Sequence, residues 1–229
     1  MKTIRSAAKS PRPTAPVATI SGVTPALVTD VRDPQGTGRV LVRLKALPEP
    51  VWARLATLTA GPKAGSWFVP DVGDEVLVAF ASGDLAQPFV VGALWSKRNP
   101  PPESMDPAGA NTRKVLRTRG GVQVTLDDQA GQEKLVVQTP GGQLISLTDG
   151  PSSIQIADAN GNSVSLEAAG ITVNAAAKVT VNASQVTVSA GLVQVDAGMA
   201  KFSGVVQCDT LVATSVVSSS YTPGAGNIM

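Results

Sequence analysis

Two groups of acidic residues stand close enough together to act as general acids or bases: Asp71, Asp74 and Glu75 in PDVGDEV, and Asp127 with Asp128 after VQVTL. Glycoside hydrolysis needs two carboxyl groups facing each other across a cleft, one of them with a raised pKa. Neighbours on a turn or a strand seldom meet that demand, and these acids read more simply as turn formers and barrel rim. The sequence contains no histidine. The commonest general base and transition-metal ligand are therefore missing, which excludes Ser-His-Asp and Cys-His chemistry and His-ligated zinc or iron within the chain. The single cysteine, Cys208, rules out an intramolecular disulfide. Its VVQCD setting is that of a small buried apolar residue. No catalytic residue, cofactor-binding residue, cofactor or metal ligand is assigned.

A binding function is weighed next. Residues 1–119 hold 16 Lys/Arg against 9 Asp/Glu, and residues 120–229 hold 3 against 8. The imbalance of the first half is far below a nucleic-acid footprint. Arg39, Arg43 and Lys45 line one face of a strand, but only six aromatic residues precede the end of the first domain: Trp52, Trp67, Phe68, Phe80, Phe89 and Trp95. Stacking platforms are scarce, and no nucleic-acid partner is expected.

The elements that would position any site are strands. Residues 1–22, rich in Pro, Ala and basic side chains, read as a flexible arm. From residue 23 to 97, ALVTDV (26–31), RVLVRLKA (39–46), WARLATL (52–58), EVLVAF (75–80) and PFVVGAL (88–94) alternate with Gly/Pro/Asp turns. Five such strands predict a small barrel. In RVLVRLK, Val40, Val42 and Leu44 face a core while Arg39, Arg43 and Lys45 face water. Residues 98–118 include three consecutive prolines, which cannot join a sheet interior. They form the linker.

From 119 to 217 the chain repeats V-x-V-like units: VQVTL, KLVVQ, LISL, IQI and VSL, then ITVNAAAKVTVNASQVTVSAGLVQVDAG (171–198) and VVQC. Such self-similarity marks a repeat architecture. The apolar pairs Ile171/Val173 and Val179/Val181 occupy odd positions, Val186/Val188 even ones, and Val193/Val195 odd ones again. One straight strand cannot change parity without turning its core face outward, so the chain must turn corners. The corners NAAAK, NASQ and SAGL lack the Asn-Gly or Gly-Gly pairs of reversing hairpins. Strands that bend in one winding sense make a prism with a valine-lined axis: a lone chain would supply all three sides in about four layers, ~20 Å, whereas three intertwined chains would stack roughly a dozen layers into ~55 Å. Val164, Leu166, Ile171, Val173, Val179, Val181, Val186, Val188, Val193 and Val195 are the expected axial residues, and they are the trimer core if three chains share the axis.

DVRDPQGTGRVLVRL, WARLATLTAG, WFVPDVGDEVLVAFASGDLAQPFVVGALW and NPPP, in that order, resemble the OB-fold domain of contractile-injection spikes. That family includes phage baseplate assembly protein V, the phage cell-puncturing spike and the VgrG spike of type VI secretion. The resemblance implies an all-β chain: an N-terminal OB-fold barrel followed by an intertwined trimeric triple-stranded β-helix. It also implies a homotrimeric, non-enzymatic needle among baseplate components that breaches the target membrane mechanically. Nothing long precedes the barrel, so the tail-tube hub is expected as a separate protein. The short linker leaves no room for the lysozyme domain of some phage spikes, and without histidine there is no His-x-His iron tip. The end at 218–229 is expected to be blunt and capped by a PAAR-type tip protein, with Tyr221, Pro223 and Ile228 as contacts. The start carries no secretory signal; synthesis in the cytoplasm and assembly into a tail or injection particle follow. A β-solenoid adhesin would want a secretion signal or an anchor, and neither is visible.

Overall fold

The computed structural model describes residues 20–220. The chain divides between Lys178 and Val179 into two units. Every regular element lies in the first: β1 (Val23–Asp30), β2 (Val40–Arg43), β3 (Val51–Leu55), β4 (Ala60–Gly61), β5 (Ala64–Gly65), β6 (Glu75–Phe80), β7 (Pro88–Leu94), β8 (Arg113–Arg117), β9 (Gln123–Asp127), β10 (Lys134–Gln138), β11 (Leu144–Asp149), β12 (Ser152–Ala157), β13 (Ser163–Glu167) and β14 (Gly170–Asn174). A single 3-10 turn, Ala81–Gly83, is the one helical element among the described residues.

Five strands close a barrel in the order β1-β2-β3-β7-β6. All neighbours are antiparallel except β3 and β7, which run parallel through Arg54↔Phe89 and Leu55↔Val90. Strands β6 and β7 match the expected segments residue for residue. Alternation supplies the core: Val40, Val42, Val28, Val76 and Val78 are fully buried, with Leu44, Ala53 and Val90 beside them. β-branched side chains suit this pleated, enclosed surface. Six valines with Ala26, Ala53, Leu44 and a single phenylalanine, Phe80, fill a barrel this narrow.

Strands β4 and β5 pair only with each other, and the last seven strands form one sheet in strict chain order from β8 to β14, each antiparallel to the next. Bends without reversal were expected at the corners NAAAK, NASQ and SAGL, and the units before them behave differently. Between 113 and 174 the chain reverses at every connection. The cause lies in three similar loops, TRGGV (118–122), TPGGQ (139–143) and DANGN (158–162). In each, the first residue's backbone N–H donates to the carbonyl of the fifth: Thr118 to Val122 at 2.9 Å, Thr139 to Gln143 at 3.0 Å and Asp158 to Asn162 at 3.0 Å. The fourth residue must take positive φ, as Gly142 does at 84° and Gly161 at 89°. A Cβ at Gly142 would also stand only 3.0 Å from that of Ala159.

From residue 175 to 220 no strand is assigned, and every residue is exposed. This covers the corners NAAAK, NASQ and SAGL, none of which makes a hairpin. Cys208, expected as a buried residue, is exposed in the single chain.

Candidate functional site

The register of the seven-stranded sheet sorts its side chains onto two unlike faces. Residues directly opposite in neighbouring strands share a face, as do residues two apart in one strand. One row therefore runs Leu126, Leu135, Leu147, Ile154, Leu166, Ile171 across β9 to β14. A second, beside it, runs Leu116, Val124, Val137, Ile145, Ile156, Val164, Val173 from β8 to β14. The opposite face carries Val115, Thr125, Val136, Ser146, Gln155, Ser165 and Thr172 in the row between. One face is an unbroken apolar ribbon two residues wide, and the other is mostly polar.

Burial runs the opposite way from what a lone chain needs. In β12 the isoleucines Ile154 and Ile156 are 41% and 50% exposed, while Gln155 between them is half-buried. Strand β11 repeats the inversion, with Ile145 and Leu147 exposed and Ser146 half-buried. At β9 the polar face holds Gln123, Thr125 and Asp127, all buried. Gln123 Nε2 donates to Thr125 Oγ1 at 2.9 Å. Asp127 has Arg113 Nε at 3.9 Å and Lys134 Nζ at 4.0 Å, and its carboxylate accepts the Gln129 backbone N–H at 3.2 Å. The apolar ribbon is the surface left to be covered.

Of the expected trimer-core residues, the sheet brings Val164, Leu166, Ile171 and Val173 together on the ribbon. Val179, Val181, Val186, Val188, Val193 and Val195 lie in the second unit without strand partners, between 61% and 70% exposed. Tyr221, Pro223 and Ile228 fall outside the described residues. The core list missed the larger share of the ribbon, from Leu116 to Ile156. The same i, i+2 alternation in VQVTL, KLVVQ, LISL and IQI could have found it.

The barrel holds two further clusters. In the β1–β2 loop, Asp33 accepts the backbone N–H groups of Gln35 at 3.0 Å, Thr37 at 2.8 Å and Arg39 at 3.2 Å, and Arg39 Nη2 at 2.7 Å. The Arg39 guanidinium and these N–H groups hold the Asp33 carboxyl far below the usual carboxylate range. Arg39, expected in water, is thus largely enclosed, and it lies over the Trp52 ring at 5.6 Å. The second cluster uses the acids first considered for catalysis. Asp71 and Asp74 receive Arg119 from the β8–β9 turn at 2.9 and 3.2 Å, and Asn99 Nδ2 donates to the Gly73 carbonyl at 3.2 Å. This ion-pair latch ties the sheet's first hairpin to the barrel. Among the described residues no three His, Cys, Asp or Glu side chains gather as a metal site.

A five-stranded closed barrel whose third and last strands pair in parallel, followed by a sheet that is apolar on its uncovered face, defines an all-β, OB-type protein built to oligomerise. Comparison with known proteins agrees. Residues 24–95 match the type VI secretion system/phage-baseplate injector OB domain, and residues 134–194 match the phage baseplate V C-terminal trimerisation domain. The chain belongs to this baseplate V and VgrG-type spike family, and its second half carries the match to the family's trimerisation domain. It is similar to the type VI secretion system spike protein VgrG3 of Vibrio cholerae, with 35% identity over 91 residues, or 38% of this chain and 9% of that protein. It is also similar to spike protein VgrG5 of Pseudomonas aeruginosa, with 36% identity over 92 residues, 38% of this chain and 11% of the relative. A third relative is the actin cross-linking toxin VgrG1 of Vibrio cholerae, 34% identical over 89 residues, 37% of this chain and 8% of the relative. The chain therefore spans only about a tenth of the length of these relatives. No helix of the described residues is long and apolar enough to cross a membrane.

Proposed function

We propose that the protein is the central spike of a contractile injection machine, a stiff homotrimeric needle whose activity is mechanical rather than catalytic. The barrels sit against the tail-tube hub, and the opposite end meets a PAAR-type tip protein through the region of Tyr221, Pro223 and Ile228. Sheath contraction drives the needle forward, and the target membrane is breached by force. The trimer core extends from the ribbon of β8–β14 into the valine pairs Val179/Val181, Val186/Val188 and Val193/Val195.

The observation that carries this reading is the inverted burial of β11 and β12. A chain that exposes its isoleucines and half-buries its serines and glutamine is the part of a structure completed by further copies. Three such ribbons facing a shared axis give a dry core, and the low charge of residues 135–229, 7 charged among 95, clads the outside in small neutral side chains. Sheets whose edges and apolar faces are both covered resist bending and further strand addition. The latch from Arg119 to Asp71 and Asp74 would pass axial load from barrel to shaft.

The test is association with the machine. In cells that make the injection machine, the tagged protein is expected to co-purify with sheath and tube proteins, and its deletion to leave particles without a spike that fail to kill or transduce target cells. Intact, fully active particles from the deletion strain would refute the proposal.

A further inference from the structure

We propose that the outer face of the barrel is a docking groove for an extended acidic segment of a partner protein, with Arg54 as the anchoring charge. A cavity of about 470 Å³ opens there between the β1–β2 loop, strand β3, and the turn that leads into β7 with the first residues of β7. Its walls carry Arg39, Trp52, Arg54 and Phe89, with Gln35 and Gln87 contributed by the loops. The two arginines have different fates. Arg39 is neutralised by Asp33 and lies over Trp52. Arg54 is exposed and lies over Phe89 with 5.3 Å from guanidinium carbon to ring centroid, and among the described residues no carboxylate is within ion-pair distance of it.

A guanidinium held over an aromatic ring has lost rotamer freedom in advance, and it presents a fork of donors shaped for a carboxylate. That is the arrangement of a recognition arginine rather than of a solvated surface charge. The β1–β2 loop that lines the cavity also carries a large apolar neighbour: the Trp67 ring, 78% exposed, lies against Gly38, where an added Cβ would stand 3.6 Å from it. Trp and Arg dominate the binding energy of protein interfaces, and aromatic residues with Arg are enriched in them.

The same count argues against a polyanion. Nucleic-acid binding draws its strength from neutralising several phosphates at once, and this groove offers one uncommitted guanidinium. A peptide carboxylate needs one. The side-chain amides of Gln35 and Gln87 can pair with peptide backbone on either side of it. The occupant is accordingly an acidic stretch of a neighbouring protein in the assembly, and the inference stands independently of how the shaft works.

The experiment uses the full-length protein and fluorescence anisotropy of a short fluorescein-labelled peptide of alternating glutamate and serine. The same peptide with lysine for glutamate, and an equally long labelled oligothymidylate, serve as the other arms. The glutamate peptide is expected to bind saturably and more weakly as salt rises. Arg54→Gln is expected to weaken it about tenfold or more, the scale for a hydrogen-bonded charge. Arg54→Lys should fall between, and Arg43→Gln, outside the groove on the same barrel, should match the native protein. The lysine peptide should not bind. Three outcomes each overturn the proposal: no saturable binding of the glutamate peptide, equal binding by Arg54→Gln, or tighter binding of the oligothymidylate than of the peptide.

Discussion

Ile156→Glu is the sharpest perturbation of the trimer. Ile156 stands mid-ribbon between Ile145 and Val164 and is 50% exposed in a single chain. Full burial of an isoleucine is worth about 2 kcal/mol, so covering the remaining half contributes about 1 kcal/mol per copy and about 3 kcal/mol per trimer. Losing the apolar contact alone should weaken trimer formation by at least about a hundredfold. Desolvating three carboxylates at one level adds several kcal/mol more. Gln155→Glu is the control, because it places the same side chain one residue away on the other face. Size-exclusion chromatography with light scattering across a dilution series reads both. The expected result is a trimer for Gln155→Glu and dissociated or aggregated chains for Ile156→Glu. Equal behaviour of the two variants, whether both trimeric or both not, would refute the assignment of faces.

The other predictions concern the shaft, the barrel loop and the barrel core. Val181→Asp should abolish the trimer, read by light scattering, if the valine pairs continue the core. Asp33→Asn should lower the melting temperature at neutral pH and flatten its dependence on acid. The folded Asp33 carboxyl lies below its ordinary value of 3.8 because of Arg39 and the loop N–H groups, and Asp158 is lowered from 3.8 to about 2 chiefly by Asn162. Depressed carboxyls stabilise the fold above their unfolded value, and that stabilisation is lost as pH falls through the folded one. The native melting temperature should therefore hold above about pH 5 and drop steadily below about pH 4. A drop just as steep in Asp33→Asn would assign it to other carboxyls. Leu44→Ala should destabilise the barrel by about 2–5 kcal/mol in denaturant titrations while leaving the mass in solution unchanged, because Leu44 is 2% exposed and belongs to the barrel core rather than to the ribbon.

The barrel was the most legible part of the sequence, and the reason is local. Its strands alternate cleanly, so Val40, Val42 and Leu44 announce the core without help from distant residues. Arg39 was less legible. Alternation places it outside, but only the folded loop brings Asp33 around to enclose it. In the second half, the V-x-V units were visible and their direction was not. Valine pairs look alike whether the next connection reverses or bends, and the information sits in the loops. The Gly-Gly of 120–121 and 141–142 and the Asn-Gly of 160–161 specify hairpins, whereas NAAAK, NASQ and SAGL do not. The most regular pairs point to a core by themselves, whereas the longer aliphatic side chains from Leu116 to Ile156 join Val164, Leu166, Ile171 and Val173 on one face only through strand pairing. The ribbon's inverted burial was beyond reach of the sequence, because it depends on which face the neighbouring strands leave uncovered.

The most direct measurement is the mass of the native full-length protein under non-denaturing conditions, by native mass spectrometry at high dilution. Apolar ribbons that complete one another predict a species at three times the chain mass of 23.3 kDa, persisting with no folded single chain beside it. A stable, folded species at the mass of one chain would show that the exposed isoleucines need no partner, and would contradict the account.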